Sequence, residues 1–236
     1  MGATVDRHRR ALREIDDLEA YLAAHSGLPG PRGNIELAQA VAEELDDATL
    51  ERLAASGDEF GAFCGVVGLG RAIADGRGDL VPVLRGFAGD ERWRVREAVA
   101  MALQRWGDAD LAAMLDEAEG WGTGSRLEQR AAAAGTCEPR LLRDPVAVRR
   151  VLDILDAITA TLPGAPDRRT DGYRTLRQAL GYCWSVAVAA DPVDGLPAFE
   201  RWHRDPDLDI AWIVRENLGK ARLKRALADR GRAGRS

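Results

Sequence analysis

The chain has 236 residues, 46% of them apolar and 30% charged, with a formal net charge of −5. That length can bury a substantial core, and the acidic balance excludes a surface that is basic all over, as unspecific phosphate binding requires. The opening segment MGATVDRHRRALREID lacks the apolar core of a secretory signal, and nothing approaches the ~18 uninterrupted apolar residues of a membrane span, so a cytoplasmic chain without membrane association is expected.

Ala, Leu, Val, Arg, Glu and Asp dominate, while β-branched runs and Asn-Gly hairpin signals are scarce; this is a helix-forming composition. The first periodic segment is RALREIDDLEAYLAAH, where Leu12, Ile15, Leu18, Tyr21 and Leu22 recur at three- and four-residue steps and predict one apolar stripe. GLPGPRG at 27–33 breaks it. Asn34 then caps the IELAQAVAEEL helix, and Asp46 or Asp47 opens a short helix through Leu53.

GVVGLG at 65–70 sits inside a helical pattern with no strand before it, so its glycines are read as permitting close helix packing rather than as a dinucleotide fingerprint. Further breaks fall at Ser56-Gly57, Gly76 to Gly78, Gly89-Asp90, Gly107-Asp108, Gly122 to Gly124, Asp144-Pro145, Pro163 to Pro166, Asp191-Pro192 and Asp205-Pro206. About a dozen helices follow, pairing into about six antiparallel hairpins. The longest connection, LPGAPDRRTDG at 162–172, is the one expected to be mobile.

An internal repeat specifies the fold class further. LVPVLRGFAGDERWRVREAVAMAL (80–103) and LPAFERWHRDPDLDIAWIVRENLGKARL (196–223) share a short helix, an acidic turn and then W-x-V-R-E, with a weaker copy in LEQRAAAAG at 127–135. The acidic turn followed by V-R resembles the second helix of a HEAT repeat, in which Val95, Val99 and Ala102 face the core. The expectation is an all-α, HEAT-like α-solenoid, an α-α superhelix of about six helix pairs, forming one domain over 1–229 with a basic flexible tail at 230–236.

On these segments the chain resembles the AlkD-type DNA alkylpurine glycosylases, HEAT-like solenoids that grip duplex DNA. AYLAAHSGLPGPRGNIELAQAV is similar to the family's N-terminal helix, loop and helix, and DEFGAFC at 58–64 to its R-E-F-Q-x-A-A segment. WRVRE at 93–97 falls where the family has a Trp and, four residues on, its catalytic Asp. EQRAA at 128–132 resembles L-Q-R-A-A, RQALGY at 177–182 resembles K-A-I-G-W, and VREN at 214–217 stands at K-R-E-A. Glu therefore replaces Asp at 97, Tyr replaces Trp at 182, and a Trp often adjacent to position 93 is missing.

The resemblance implies hydrolysis of the N-glycosidic bond of a cationic alkylated purine without metal or cofactor. It places Glu97 and Trp93 at the reacting sugar, Tyr182 in the groove and Arg130 on a DNA phosphate. The residue chemistry is compatible: positions 93 and 97 share a helix face, and a carboxylate with a π-face stabilises an oxocarbenium-like state. A structural explanation stands beside it, because W-x-V-R-E recurs at 212–216; Trp93 then covers a hairpin junction, and Glu97 pairs with Arg94, Arg96 or Arg130.

Residues 1–138 carry 15 Arg/Lys against 25 Asp/Glu, whereas 139–236 carry 18 against 13, so the C-terminal part is the candidate phosphate-facing surface. Its cluster of Arg140, Arg143, Arg149, Arg150, Arg168, Arg169, Arg174 and Arg177 reads either as a phosphate track or as a solvated face, with Arg174 and Arg177 the foremost DNA-contact candidates. Tyr182 and Trp184 lie two apart in an apolar helix, so only one can be fully in the core; the setting favours Tyr182 there. Cys64, Cys137 and Cys183 read as buried thiols, and His8, His25 and His203 lack ligand spacing, so no metal site is expected. The partners are accordingly duplex DNA or, for a non-enzymatic scaffold, a protein, the chain itself being monomeric.

Overall fold

Fourteen α-helices and two short 3-10 turns, and no strand, make up the regular structure among the described residues. These are residues 2–30 and 32–233 of a computed structural model, the side chains of 231–233 excepted. No helix among them is long and apolar enough to cross a membrane. Contacts divide the chain into two compact units, separated in sequence between Ala109 and Asp110.

The N-terminal unit comprises α1 (Ala3–Leu12), α2 (Leu18–His25), α3 (Ile35–Glu44), α4 (Asp47–Ala54), α5 (Glu59–Ala74), α6 (Val81–Phe87) and α7 (Trp93–Ala109). The predicted stripe from Leu12 to Leu22 is split between α1 and α2. Asp17 adopts an extended backbone and accepts from Ala20 N at 2.9 Å, so a new helix starts where the old one would have continued. The expected caps are in place: Asn34 accepts from Leu37 N at 3.0 Å and Asp46 from Thr49 N at 2.9 Å.

Helix α5 is the hub of this unit, packing against α2, α3, α4, α6 and α7. Every residue from Phe60 to Gly70 is buried, so it has no solvent face and shows no amphipathic period. Its glycines allow that enclosure. A Cβ on Gly65 would stand 2.1 Å from Ala54 N, and one on Gly70 would stand 2.3 Å from Ala102 O. The GVVGLG segment is therefore a packing surface for α4 and α7, as the helical pattern around it implies. Across from it Val95, Val99 and Ala102 of α7 are fully buried, as the repeat predicts. Helix α7 continues through the break expected at Gly107-Asp108.

The C-terminal unit comprises α8 (Leu111–Gly122), α9 (Arg126–Thr136), α10 (Pro145–Thr159), α11 (Asp171–Ala190), α12 (Pro192–Glu200), α13 (Leu208–Leu218) and α14 (Ala221–Ala233). Here α11 is the hub, in contact with α9, α10, α12, α13 and α14. Trp184 is fully buried on it and donates its indole N–H to Thr159 Oγ1 at 3.0 Å. Asn217 of α13, also fully buried, donates to the Leu180 and Ile213 carbonyls, each at 2.8 Å, and accepts from Ser185 N at 2.8 Å. A buried amide with three of its four bonds made to backbone fixes α13 against α11.

The connection at 162–172 is anchored rather than loose. Arg126 pairs with Asp167 at 2.8 Å, and Arg168 pairs with Asp207 and, at 3.1 Å, with Asp209. Of the expected tail, residues 230–233 continue α14, and 234–236 lie outside the described residues. Cys64, Cys137 and Cys183 are buried free thiols, and burial pushes the first two well above the ordinary thiol range.

Candidate functional site

The start of α7 is fixed by three arginines that bracket Trp93. Arg92 folds back on Asp90 at 2.8 Å and reaches Ser56 O at 2.9 Å, tying α7 to the turn before α5; its guanidinium holds the Asp90 carboxyl below its ordinary value. Arg94 donates to Glu59 Oε2 at 2.9 Å and to Gly30 O at 3.0 Å, and its guanidinium lies 4.4 Å from the Trp93 ring centroid. Its Nε is buried with no hydrogen-bond acceptor. Arg96 donates to the Asp90 and Glu91 carbonyls, at 2.6 and 2.9 Å. The indole is thus held by a lattice of bonds that runs from α5 to the 27–33 loop.

Trp93 is 48% exposed, alone among the chain's six tryptophans in facing solvent to that degree. Glu97 is exposed one turn further on. Both line a cleft of about 140 Å³ together with Arg32, Gly33, Ile35, Phe63, Arg94 and Met101. Its walls are aromatic and aliphatic, with one carboxylate and two guanidiniums at the rim. Arg32, Phe63 and Met101 are members of this cleft that sequence reasoning missed: Arg32 arrives from a loop and Phe63 from α5, while Met101 lies on α7 itself, one turn beyond Glu97. Only the DEFGAFC segment hinted at Phe63.

The second W-x-V-R-E copy is placed differently. Trp212 is half-buried and packs against α11, where a Cβ on Gly181 would come within 2.9 Å of its ring. The Arg177 guanidinium, also on α11, lies 4.1 Å from the ring centroid. Trp93 is the first residue of its helix, whereas Trp212 is the fifth of α13, which Asp207 caps by accepting from Asp209 N and Ile210 N. The shared motif therefore occupies two helical registers, and its first copy opens onto a cleft.

In the C-terminal unit the expected contacts are of several kinds. Arg130 on α9 is a buried residue, 8% exposed, and so presents little surface to a phosphate. Arg177 is committed to Asp209 at 2.6 Å and to the Trp212 face. Arg174 is 62% exposed, with Asp171 3.5 Å away. Of the rest of the basic cluster, Arg140, Arg149, Arg150 and Arg168 are ion-paired, while Arg143 and Arg169 meet no carboxylate among the described residues.

Tyr182 is 45% exposed, not in the core; Trp184 takes the core position. The reason is angular: two residues along a helix point ~200° apart, and the larger apolar group wins the interior. The Tyr182 hydroxyl accepts from Arg222 at 2.6 Å, and that guanidinium lies 4.7 Å from the ring centroid.

Among the described residues no group of three or more His, Cys, Asp or Glu side chains could hold a metal ion. Comparison of the chain with protein-family models, with curated proteins and with solved structures yields no match.

Proposed function

We propose that this chain is a HEAT-like α-solenoid of the AlkD type, a cytoplasmic monomer that binds duplex DNA and hydrolyses the N-glycosidic bond of cationic alkylated purines. The observation that carries the reading is the exposure of Trp93 and Glu97 on one wall of a single cleft, whereas the equivalent Trp212 is packed down on its neighbour helix. A residue kept only to cover a hairpin junction gains more by packing against its neighbour, as the half-buried Trp212 does.

In this mechanism the C1′–N bond of the nucleotide breaks with both electrons going to the purine, which leaves neutral because alkylation had made it cationic. The sugar left behind carries oxocarbenium character. Glu97 stabilises that charge and orients the water that adds to C1′, whose proton passes to solvent; the Trp93 face lies against the electron-poor ring. No protonation of the leaving group is needed, so one carboxylate suffices. Arg174, Arg143 and Arg169, with Tyr182, supply the phosphate and groove contacts; Arg130 and Arg177 act through packing.

Incubating the protein with methylated duplex DNA and measuring released 3-methyladenine and 7-methylguanine tests the reading. Time-dependent release that Glu97→Gln diminishes supports it, and no release by the wild type overturns it. The second reading, a non-enzymatic scaffold that binds a protein partner, draws on the internal pairing of most of the arginine cluster, which leaves fewer charges for phosphate. It predicts duplex binding that is weak and nearly independent of salt.

A further inference from the structure

An open groove lies within the C-terminal unit, between the end of α11, the start of α12 and one face of α14, with a volume of about 560 Å³. Its floor is apolar: Ala189, Pro192, Val193 and Ala226. Val193 is 80% exposed, an uncovered aliphatic group at the first turn of a helix. A second hollow of about 320 Å³ shares Ala189 and Arg222 with it and extends the apolar floor toward Leu142 and Val186.

The rim is cationic. Arg222, Arg225 and Arg230 contribute to the lining against a single acid, Asp229, and Arg222 and Arg225 stand three residues apart on α14, a step that keeps side chains near one face. Most arginines of this chain are neutralised by a carboxylate, and these differ. Arg230 reaches Glu200 only at 3.5 Å, with both side chains more than half exposed. Arg222 donates to the Tyr182 hydroxyl, and neither Arg222 nor Arg225 meets a carboxylate among the described residues. In a chain of net charge −5, cations left unpaired around an uncovered apolar trough are complementary to an acidic, amphipathic occupant.

We propose that this groove is a docking site for an acidic amphipathic peptide segment of a partner protein. Its apolar side chains, spaced at helical intervals, enter the trough over Val193 and Ala226, and its carboxylates pair with Arg222 and Arg225. The occupant is held by both features. An extended phosphate backbone has no use for the apolar floor, and a neutral apolar peptide leaves the arginines unpaired. Arg222 also holds the Tyr182 hydroxyl, so the readout for this groove is binding of the probe and not activity at the Trp93–Glu97 cleft.

The test uses the full chain and a fluorescein-labelled probe peptide of about 15 residues, with leucines at i, i+3, i+4 and i+7 and glutamates between them. Saturable binding is expected, weakened about tenfold or more by Arg222→Glu/Arg225→Glu and also by Val193→Asp, and reduced by salt. All three substitutions sit at the groove surface, and circular dichroism identifies any variant that has unfolded. Equal binding of a lysine-for-glutamate version of the probe overturns the proposal, as does absence of binding. Displacement of the bound probe by a short DNA duplex acting through the same arginines, with Val193→Asp having no effect, assigns the rim to nucleic acid and overturns it too.

Discussion

The Arg94 guanidinium lies 4.4 Å from the centroid of the Trp93 ring, while the same group bonds to Glu59 and to the Gly30 carbonyl. One side chain therefore orients the indole, ties α7 to α5 and pins the 27–33 loop beside the cleft. Replacing it should release all three. Arg94→Met keeps the aliphatic stem and removes the bonds; it is expected to cost about 1–2 kcal/mol in denaturant unfolding. It should also speed tryptic cleavage after Arg32, because the loop loses its anchor. Unchanged cleavage at Arg32 would show that the loop is held by other means.

Gly70 and Gly120 are both helical glycines, yet opposite responses to alanine are expected. At Gly70 the added methyl would sit 2.3 Å from Ala102 O and 2.5 Å from its Cα, backbone atoms that cannot turn aside. Forcing α5 and α7 apart should cost about 3 kcal/mol or more. At Gly120, in α8, nothing lies within 4 Å of the new Cβ. There alanine should stabilise by about 0.5–1 kcal/mol through helix propensity alone. Thermal denaturation of the two variants side by side gives the comparison; a stable Gly70→Ala protein contradicts the packing described for α5.

Glu44 reports on acid stability. Hydrogen bonds from Arg13 and then Arg9 hold its carboxyl down to about 2 from the ordinary 4.5. The folded-state value lies below the unfolded one, so the stabilisation is fully present above about pH 4.5 and is lost as pH falls toward 2. Glu44→Gln should therefore be less stable than the wild type at neutral pH, with the gap narrowing across that window. A gap that stays constant down to pH 2 would mean that the ion pairs with Arg9 and Arg13 contribute nothing to folding.

Asn217→Ala removes three buried bonds, two of which join α13 to α11 at the Ser185 N–H and the Leu180 carbonyl. A loss of about 2–4 kcal/mol is expected, well beyond that of a surface substitution. Hydrogen exchange should localise the effect: the Ser185 amide ought to lose protection far more than amides in α8. Uniform loss across the unit would instead indicate that Asn217 acts only on global stability.

Much of the local structure is legible in the sequence, since the Asn34 and Asp46 caps, the burial of Val95, Val99 and Ala102, and the packing role of the α5 glycines all follow from periodicity and residue chemistry. These features depend on neighbours within a turn or two of chain. The division of the first helix is not, because an apolar stripe survives a break when both pieces bury the same face, and only the carboxylate of Asp17 marks the stop. The environment of Tyr182 and the burial of Arg130 depend on residues far away in sequence, as do the anchors of the 162–172 connection. For the candidate site, the i and i+4 spacing specifies the Trp93–Glu97 face. The motif alone cannot say which copy opens to solvent, and that difference arises from the neighbour, Gly181 under Trp212 and a cleft beside Trp93.

The difference between the two W-x-V-R-E copies also yields the most direct measurement. Single-turnover release of 3-methyladenine from methylated duplex DNA should be compared for the wild type, Glu97→Gln and Glu216→Gln, each verified as folded. The account predicts release by the wild type and by Glu216→Gln at similar rates, with Glu97→Gln slowed by about 100-fold or more, the scale of removing a charge that acts on the transition state. Equal loss in both variants, undiminished release by Glu97→Gln, or no release by the wild type would contradict the assignment of the Trp93–Glu97 cleft as the reacting site.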